Sequence, residues 1–327
     1  MPIDRRSFLG TAAGVTLAGG APARALGAVD DRYGHWPPAE YFPLWDDVPP
    51  GAPDPLPTPT ISLDGYQGRE LWLRGVARPV VGVFRAKNPD GRAVLSIPGG
   101  GYGFVSVSNE GLDVARVLNS LGITVFVLAY RLPGDGWANR ADVPLADAQR
   151  AMRRIRADAG RYGIRADRLG VLGFSAGGHL AGMLATGHGD PTYTAQYKFD
   201  GDSARPDFAG LVYPVMSFKD AGLNSRSAAM LLGDDADPAL IARYTPADRI
   251  AADTPPLFLA HAVDDPIVPI AQSLLTVERA HAAQVPVEAH LFARGGHGFG
   301  ALHLPERAPG LLWPDLFDRW SGALFRG

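Results

Sequence analysis

The stretch Gly173-Phe174-Ser175-Ala176-Gly177-Gly178-His179 lies where an apolar run, Arg168 to Gly173, gives way to a helical pattern, Ala176 to Thr186. A serine at such a junction sits on a sharp strand-to-helix turn, and the residues two before and two after it must be very small to clear that turn. Gly173 and Gly177 meet this demand. The hydroxyl then stands at a helix N-terminus, where backbone N–H groups and the helix dipole favour the negative charge of an acyl-transfer intermediate. The pattern alone is weak in a chain of 327 residues that holds 40 glycines, and a serine hydroxyl is inert without a base. Its partners must come from elsewhere.

Three further segments supply candidates. Before the serine, the strand-like run Ala93–Ile97 ends in Pro98-Gly99-Gly100-Gly101-Tyr102-Gly103, whose backbone N–H groups can face an anion; Gly100, Gly101 and Ala176 are the candidate oxyanion donors. After it, the apolar run from Leu257 ends in Asp264-Asp265, and the run from Ala289 to Phe292 ends in Gly295-Gly296-His297-Gly298. His297 is the favoured base, because its glycine neighbours give an exposed loop beyond a strand; His303 is its competitor. His261 and His290 lie inside apolar strands and read as core. His179, one helical turn past Ser175, reads as packing or a supporting hydrogen bond. Of the adjacent Asp264 and Asp265 only one can orient an imidazole, since neighbouring side chains point in different directions.

Six segments in order carry a family resemblance: Pro98–Gly103, Tyr130–Pro133, Pro144–Arg150, Gly173–Leu180, the Asp265 segment and Gly295–Gly300. Over about residues 76–300 the chain resembles the esterase/lipase branch of the α/β-hydrolases that includes bacterial acetylxylan esterases and feruloyl esterases. Pro98 stands where the lipase-type oxyanion motif begins with His, which places the chain with the sugar-ester branch. The resemblance implies a triad of Ser175, Asp265 and His297, the acid being the Asp of Asp-x-x-Val-Pro, and leaves Asp264 to cap the loop or the next helix. It implies a serine carboxylesterase that removes a short acyl group, acetyl above all, from carbohydrate such as xylan oligosaccharides. Feruloyl esterase or arylformamidase activity on the same fold is the alternative, and a non-catalytic carbohydrate-binding protein is a third reading.

Composition bounds the rest. With 46% hydrophobic and 20% charged residues and a net charge of −3, the chain is an ordinary globular one with no basic footprint for nucleic acid. It has no cysteine, which excludes thiol catalysis and disulfides. No Gly-x-Gly-x-x-Gly frame, Walker lysine or His-Glu-x-x-His motif appears, so neither cofactor nor metal is expected. Residues 1–28 resemble a twin-arginine signal, with Arg5-Arg6, an uncharged stretch and candidate cleavage sites after Ala25 or Ala28; this predicts a periplasmic or secreted protein with no membrane segment in its mature form. Residues 29–60 carry nine prolines together with Trp36, Tyr41, Phe42 and Trp45, and read as an extended arm strapped over the domain.

Residues 61–327 alternate strands and helices, which predicts a mostly parallel, doubly wound sheet. Strands are expected at 80–84, 93–97, 123–130, 169–174, 208–213, 257–262 and 287–292, and helices at 109–121, 145–159, 270–283 and 311–325. Leu145, Ala148, Met152, Ile155 and Ala159 form one apolar stripe, with Arg150, Arg153, Arg154 and Arg156 on other faces. About 40 residues after Pro214 are enough for a short helical insertion but not for a large cap. Tyr102, Phe104 and Trp137 follow strands and are the candidate substrate-binding aromatics. Arg131 and Asp147 read as a buried polar contact that supports loops.

Overall fold

The computed structural model describes residues 34–65, 68–219 and 225–326; the twin-arginine segment and the start of the arm lie outside them. Among the described residues, the strands are β1 (Tyr41–Pro43), β2 (Thr60–Asp64), β3 (Glu70–Arg74), β4 (Val80–Phe84), β5 (Ala93–Ile97), β6 (Val105–Ser106), β7 (Thr124–Ala129), β8 (Leu169–Phe174), β9 (Ala209–Val212), β10 (Leu257–Ala262) and β11 (Val287–Phe292). The main sheet runs β1-β4-β7-β5-β8-β9-β10-β11, with β2, β3 and β6 in a small antiparallel sheet beside it. From β7 to β11 all pairings are parallel, and β4 and β1 extend the edge antiparallel. Every residue of β5, β7, β8, β9 and β10 is buried, as near-continuous apolar strands covered on both faces require. This is the α/β-hydrolase arrangement.

The helices are α1 (Asp113–Ser120), α2 (Val143–Ala157), α3 (Ala159–Tyr162), α4 (Ser175–Gly187), α5 (Ser225–Leu232), α6 (Pro238–Arg243), α7 (Ala271–Ala282) and α8 (Trp313–Ala323). The expected helix at 109–121 divides: a π-helical turn at Ser108–Leu112 precedes α1. Among the described residues the insertion after Pro214 holds the short α5 and α6 and a 3-10 turn at Pro246–Arg249, and no large cap. Helix α2 buries Leu145, Ala148, Met152 and Ile155, and Gly163 ends the following α3 in the left-handed conformation at φ 67°.

One arginine departs from the expected pattern. Arg150 is fully buried rather than turned outward, because α2 packs against the arm and against Asp200. Its guanidinium lies 2.8 Å and 2.9 Å from the two Asp200 oxygens, and its Nε donates to the Leu44 carbonyl. The arm is likewise more integrated than a strap. Phe42, Leu44 and Trp45 enter the core, and Tyr41–Pro43 pairs with β4 as an edge strand, the one kind of sheet position that tolerates proline.

Arg131 and Asp147 form the buried contact the sequence suggests, and the arm completes it. Asp147 takes several hydrogen bonds from the Arg131 side chain and one from its N–H, and the Trp45 indole donates to Asp147 at 2.8 Å. Removing one partner of such a pair leaves an uncompensated buried charge. Asp147→Ala should therefore cost about 3 kcal/mol or more of stability, read as a drop in the urea midpoint at unchanged slope.

Candidate active site

The turn from β8 into α4 puts Ser175 at φ 53°, a left-handed conformation that only surrounding structure can enforce. A β-carbon on Gly177 would lie 2.1 Å from the Ile97 carbonyl, and one on Gly173 would lie 2.3 Å from the Gly177 carbonyl. Helix α4 is thus pressed against the ends of β5 and β8 as only glycine permits. Ser175 is 8% exposed, enough for its hydroxyl to reach the floor of a cleft of about 610 Å³.

His297 Nε2 stands 3.0 Å from Ser175 Oγ, and its Nδ1 stands 2.7 Å from Asp265 Oδ2. The carboxylate faces Nδ1, so Nδ1 carries the proton and Nε2 presents its lone pair to the serine. Asp265 Oδ1 accepts the N–H groups of Ile267 and Val268, both at 2.8 Å. Burial would push the Asp265 carboxyl up, but hydrogen bonds from His261 and His297, with the His297 charge and the Val268 N–H, hold it well below the usual carboxylate range. Asp264 serves the loop instead: its Oδ1 accepts the N–H groups of Gly295 at 2.8 Å and Gly296 at 2.9 Å, just ahead of His297.

The glycine loop curls beside the serine. Gly100 and Gly101 have φ 128° and 59°, and the turn is closed by Gly103 and Phe104 N–H groups donating to the Gly100 carbonyl. Those bonds leave the Gly100 and Gly101 amides out of the turn's own ladder, and both residues line the cleft with Ser175. Ala176 is in the first turn of α4, where N–H groups have no intrahelical acceptor.

The three candidate aromatics separate. Phe104 lines the cleft. Tyr102 does not: it is 1% exposed, and its hydroxyl is 2.7 Å from His179 Nδ1. Trp137 is also buried, with the Arg131 guanidinium 4.9 Å from its ring centroid, so it shields the Arg131–Asp147 pair and does not line the cleft. In each case a polar partner deep in the fold gives the ring a better place than the surface.

Trp72 is the aromatic that sequence reasoning missed. It stacks on Phe104 at 3.7 Å and 13° and forms a wall of the cleft. Its signal was the short apolar run Leu71-Trp72-Leu73 of β3, which pairs with β2.

The other histidines sort by environment. His179 Nε2 donates to the Tyr244 carbonyl at 2.8 Å, and burial lowers its pKa to about 4, so it is a neutral packing group. His303 lines the cleft, but hydrogen bonds to Asp113 and Glu70 raise it to about 9; it is a cation and no rival base. His290 is half-exposed on edge strand β11 and pairs with Glu288, in place of the core position expected, since an edge strand covers only part of itself. His261 is buried as expected, with an unforeseen role: its Nε2, 3.0 Å from the Val268 carbonyl, also reaches Asp265 at 3.2 Å.

A family model described as BD-FAE matches residues 84–279. The chain belongs to the BD-FAE family. This BD-FAE protein is 33% identical over 222 residues to an acetylxylan esterase of Xylanibacter ruminicola, covering 66% of the chain and 43% of that relative. It is 31% identical to endo-1,4-beta-xylanase B of Butyrivibrio fibrisolvens over 70% of the chain and 34% of that relative. It therefore spans less than half the length of these two curated relatives. Among solved structures, an acetyl ester-xyloside bifunctional hydrolase from Caldicellulosiruptor lactoaceticus matches with a TM-score of 0.69 and 31% identity, over 87% of this chain and 96% of that one. A carboxylesterase of Lactobacillus plantarum, at 20% identity and a TM-score of 0.62, shares the fold.

The elbow glycines give a direct test of the close approach. Gly177→Ala should cost about 3 kcal/mol or more and lose activity, because the new β-carbon meets backbone. Gly160→Ala, with open space in α3, should be neutral or stabilising by up to about 1 kcal/mol; both are read by urea unfolding.

Proposed function

We propose that this BD-FAE protein is a serine carboxylesterase that removes short acyl groups, chiefly acetyl, from carbohydrate such as xylan oligosaccharides. The observation that carries the reading is the continuous line Ser175–His297–Asp265 beside the glycine loop, with Ser175, His297, Gly100 and Gly101 lining one cleft and Asp265 buried behind the imidazole. His297 Nε2 takes the Ser175 proton as Oγ attacks the ester carbonyl carbon, and the oxyanion forms within reach of the Gly100, Gly101 and Ala176 N–H groups. His297 returns the proton to the departing sugar alkoxide, leaving acyl-Ser175. Water, deprotonated by the same nitrogen, attacks the acyl carbon, and the carboxylic acid leaves as Ser175 regains its proton.

The sugar part has a place to lie. A cleft of about 610 Å³ is far larger than an acetyl group, and the Trp72–Phe104 wall offers a flat apolar face for a sugar ring. The same wall favours a second reading, an aromatic acyl group such as feruloyl. The relatives' names, which include an acetylxylan esterase and an acetyl ester-xyloside hydrolase, support acetyl. Among the described residues no helix is long and apolar enough to cross a membrane, and the Arg5-Arg6 segment supports export as the setting for a polysaccharide substrate. Mass spectrometry of acetylated and feruloylated oligosaccharides after incubation tests the reading, because the mass lost names the acyl group.

The three residues should behave as one unit. Ser175→Ala and His297→Ala should each lower turnover by about 10⁴-fold or more, with Asp265→Asn comparable or slightly milder. Asp264→Asn should be the mild variant, since it loosens a loop and leaves the imidazole its carboxylate. A fluorophosphonate should leave a single adduct on Ser175; crippling by Asp264→Asn with a mild Asp265→Asn would reverse the assignment of the acid.

Acyl length should also discriminate. With Arg226, Ser227 and Met230 of α5 packed against the Gly101–Gly103 turn beside Ser175, kcat/KM on p-nitrophenyl esters should fall from acetate to butyrate and be negligible by octanoate. This should hold even though each buried CH₂ is otherwise worth about 0.8 kcal/mol. A maximum at hexanoate or longer would overturn the short-acyl assignment and leave the serine mechanism standing.

A further inference from the structure

Beneath the cleft lies a carboxylate that the mechanism above does not use. Glu110 is 4% exposed and sits in the π-helical turn Ser108–Leu112, where a regular helix was expected. Turns of this kind are rare and concentrate at functional sites. Glu110 Oε2 accepts the Gly99 N–H at 2.6 Å, one residue ahead of the two candidate oxyanion donors. Glu110 Oε1 accepts the Tyr213 hydroxyl at 2.9 Å. The Tyr213 oxygen in turn accepts the Gly300 N–H at 2.9 Å, three residues beyond His297, and the Tyr213 ring packs against the imidazole with centroids 4.9 Å apart. Asn109, the neighbour of Glu110, donates to the Gly298 carbonyl at 2.7 Å.

We propose that Glu110 is a positioning residue for the reaction: one buried carboxylate ties the oxyanion loop, through Gly99, to the histidine loop, through Tyr213 and Gly300. The inference rests on the serine esterase reading and deepens it. Attack on the ester succeeds only when the imidazole and the oxyanion donors are in register, since donors act on where charge develops and lose most of their effect when displaced. Two loops far apart in the chain, both rich in glycine, have no reason to hold that register by themselves. A carboxylate has two oxygens with lone pairs for both strands of the tie, and each bond is charge-assisted.

Its charge matters as well as its shape. His297, Tyr213, Glu70 and Tyr130 are the titratable groups that act on it or feel it. Burial pushes the Glu110 carboxyl up to about 6, against the Gly99 hydrogen bond, the His297 charge and the Tyr213 hydrogen bond. Ionised Glu110 also sets a negative charge near the imidazole that gains a proton as Ser175 gives one up.

The test uses Glu110→Gln, Tyr213→Phe and the double variant on p-nitrophenyl acetate, with Ser175→Ala as control. Glutamine keeps the size but can offer an acceptor to only one of the two donors. We expect Glu110→Gln to lose about 10²-fold in kcat with KM changed less than about threefold, and the double variant to lose clearly less than the sum of the two single losses. Folded Glu110→Gln protein with kcat within about threefold of wild type, or with a loss confined to KM, overturns the proposal. If Glu110→Gln does not fold, Tyr213→Phe decides: a fall in kcat at constant KM supports the tie, and an unchanged kcat overturns it. An active Ser175→Ala would instead sink the esterase mechanism itself, so the two failures are distinguishable.

Discussion

The rest of the site depends on how closely α4 approaches the sheet. At Gly177 the helix backbone rests against the carbonyl at the end of β5, a distance no β-carbon could share. That contact forces the chain to turn within one residue, places Ser175 in a left-handed conformation, and brings the glycine loop that follows β5 beside the first turn of α4. Ser175 and the glycine loop are neighbours because two strands of a parallel sheet, β5 and β8, end side by side. The strain at Ser175 is held by packing on all sides, since β5 and β8 are buried throughout.

Parallel order explains the remaining members. Strands β8, β9, β10 and β11 lie side by side and point the same way, so the loops at their C-terminal ends meet along one edge. Ser175 follows β8, Tyr213 follows β9, Asp265 follows β10 and His297 follows β11. Four residues separated by up to 122 positions in sequence become contacts without any loop needing to be long.

Carboxylates in this protein differ in behaviour because their surroundings differ. Asp265 is held ionised by two backbone N–H groups and two imidazoles. Glu110, more deeply buried, with fewer donors and a second acid nearby, is pushed the other way. Asp147 and Asp200 are matched by guanidinium groups and enclosed by aromatic rings from the arm and the 193–199 segment. Each buried acid has its donors counted out by the fold, as the cost of an unpaired buried charge demands.

Much of this was legible in the chain. The apolar runs that became β4, β5, β8, β10 and β11, the stripe of α2 and the glycines around Ser175 are local signals, and local sterics and periodicity decide them. Ser175 and His297 stand out because each sits at the end of such a run, whereas the choice of Asp265 over its neighbour Asp264 came from the family resemblance. The small sheet of β2, β3 and β6 was not legible, because its strands are short and gain their stability from pairing. The burial of Tyr102 and Trp137, the inward turn of Arg150, the cleft-facing position of Trp72 and the place of Glu110 were decided only by tertiary structure. A side chain's partner far along the chain leaves no trace in its own neighbourhood: Glu110 means nothing until β9 brings Tyr213 to it and the glycine loop brings Gly99. The sequence by itself determined which residues could carry chemistry and which strands would hold them; only packing decided which aromatics line the cleft and which carboxylate lies beneath it, because burial and hydrogen-bond partners belong to the whole fold.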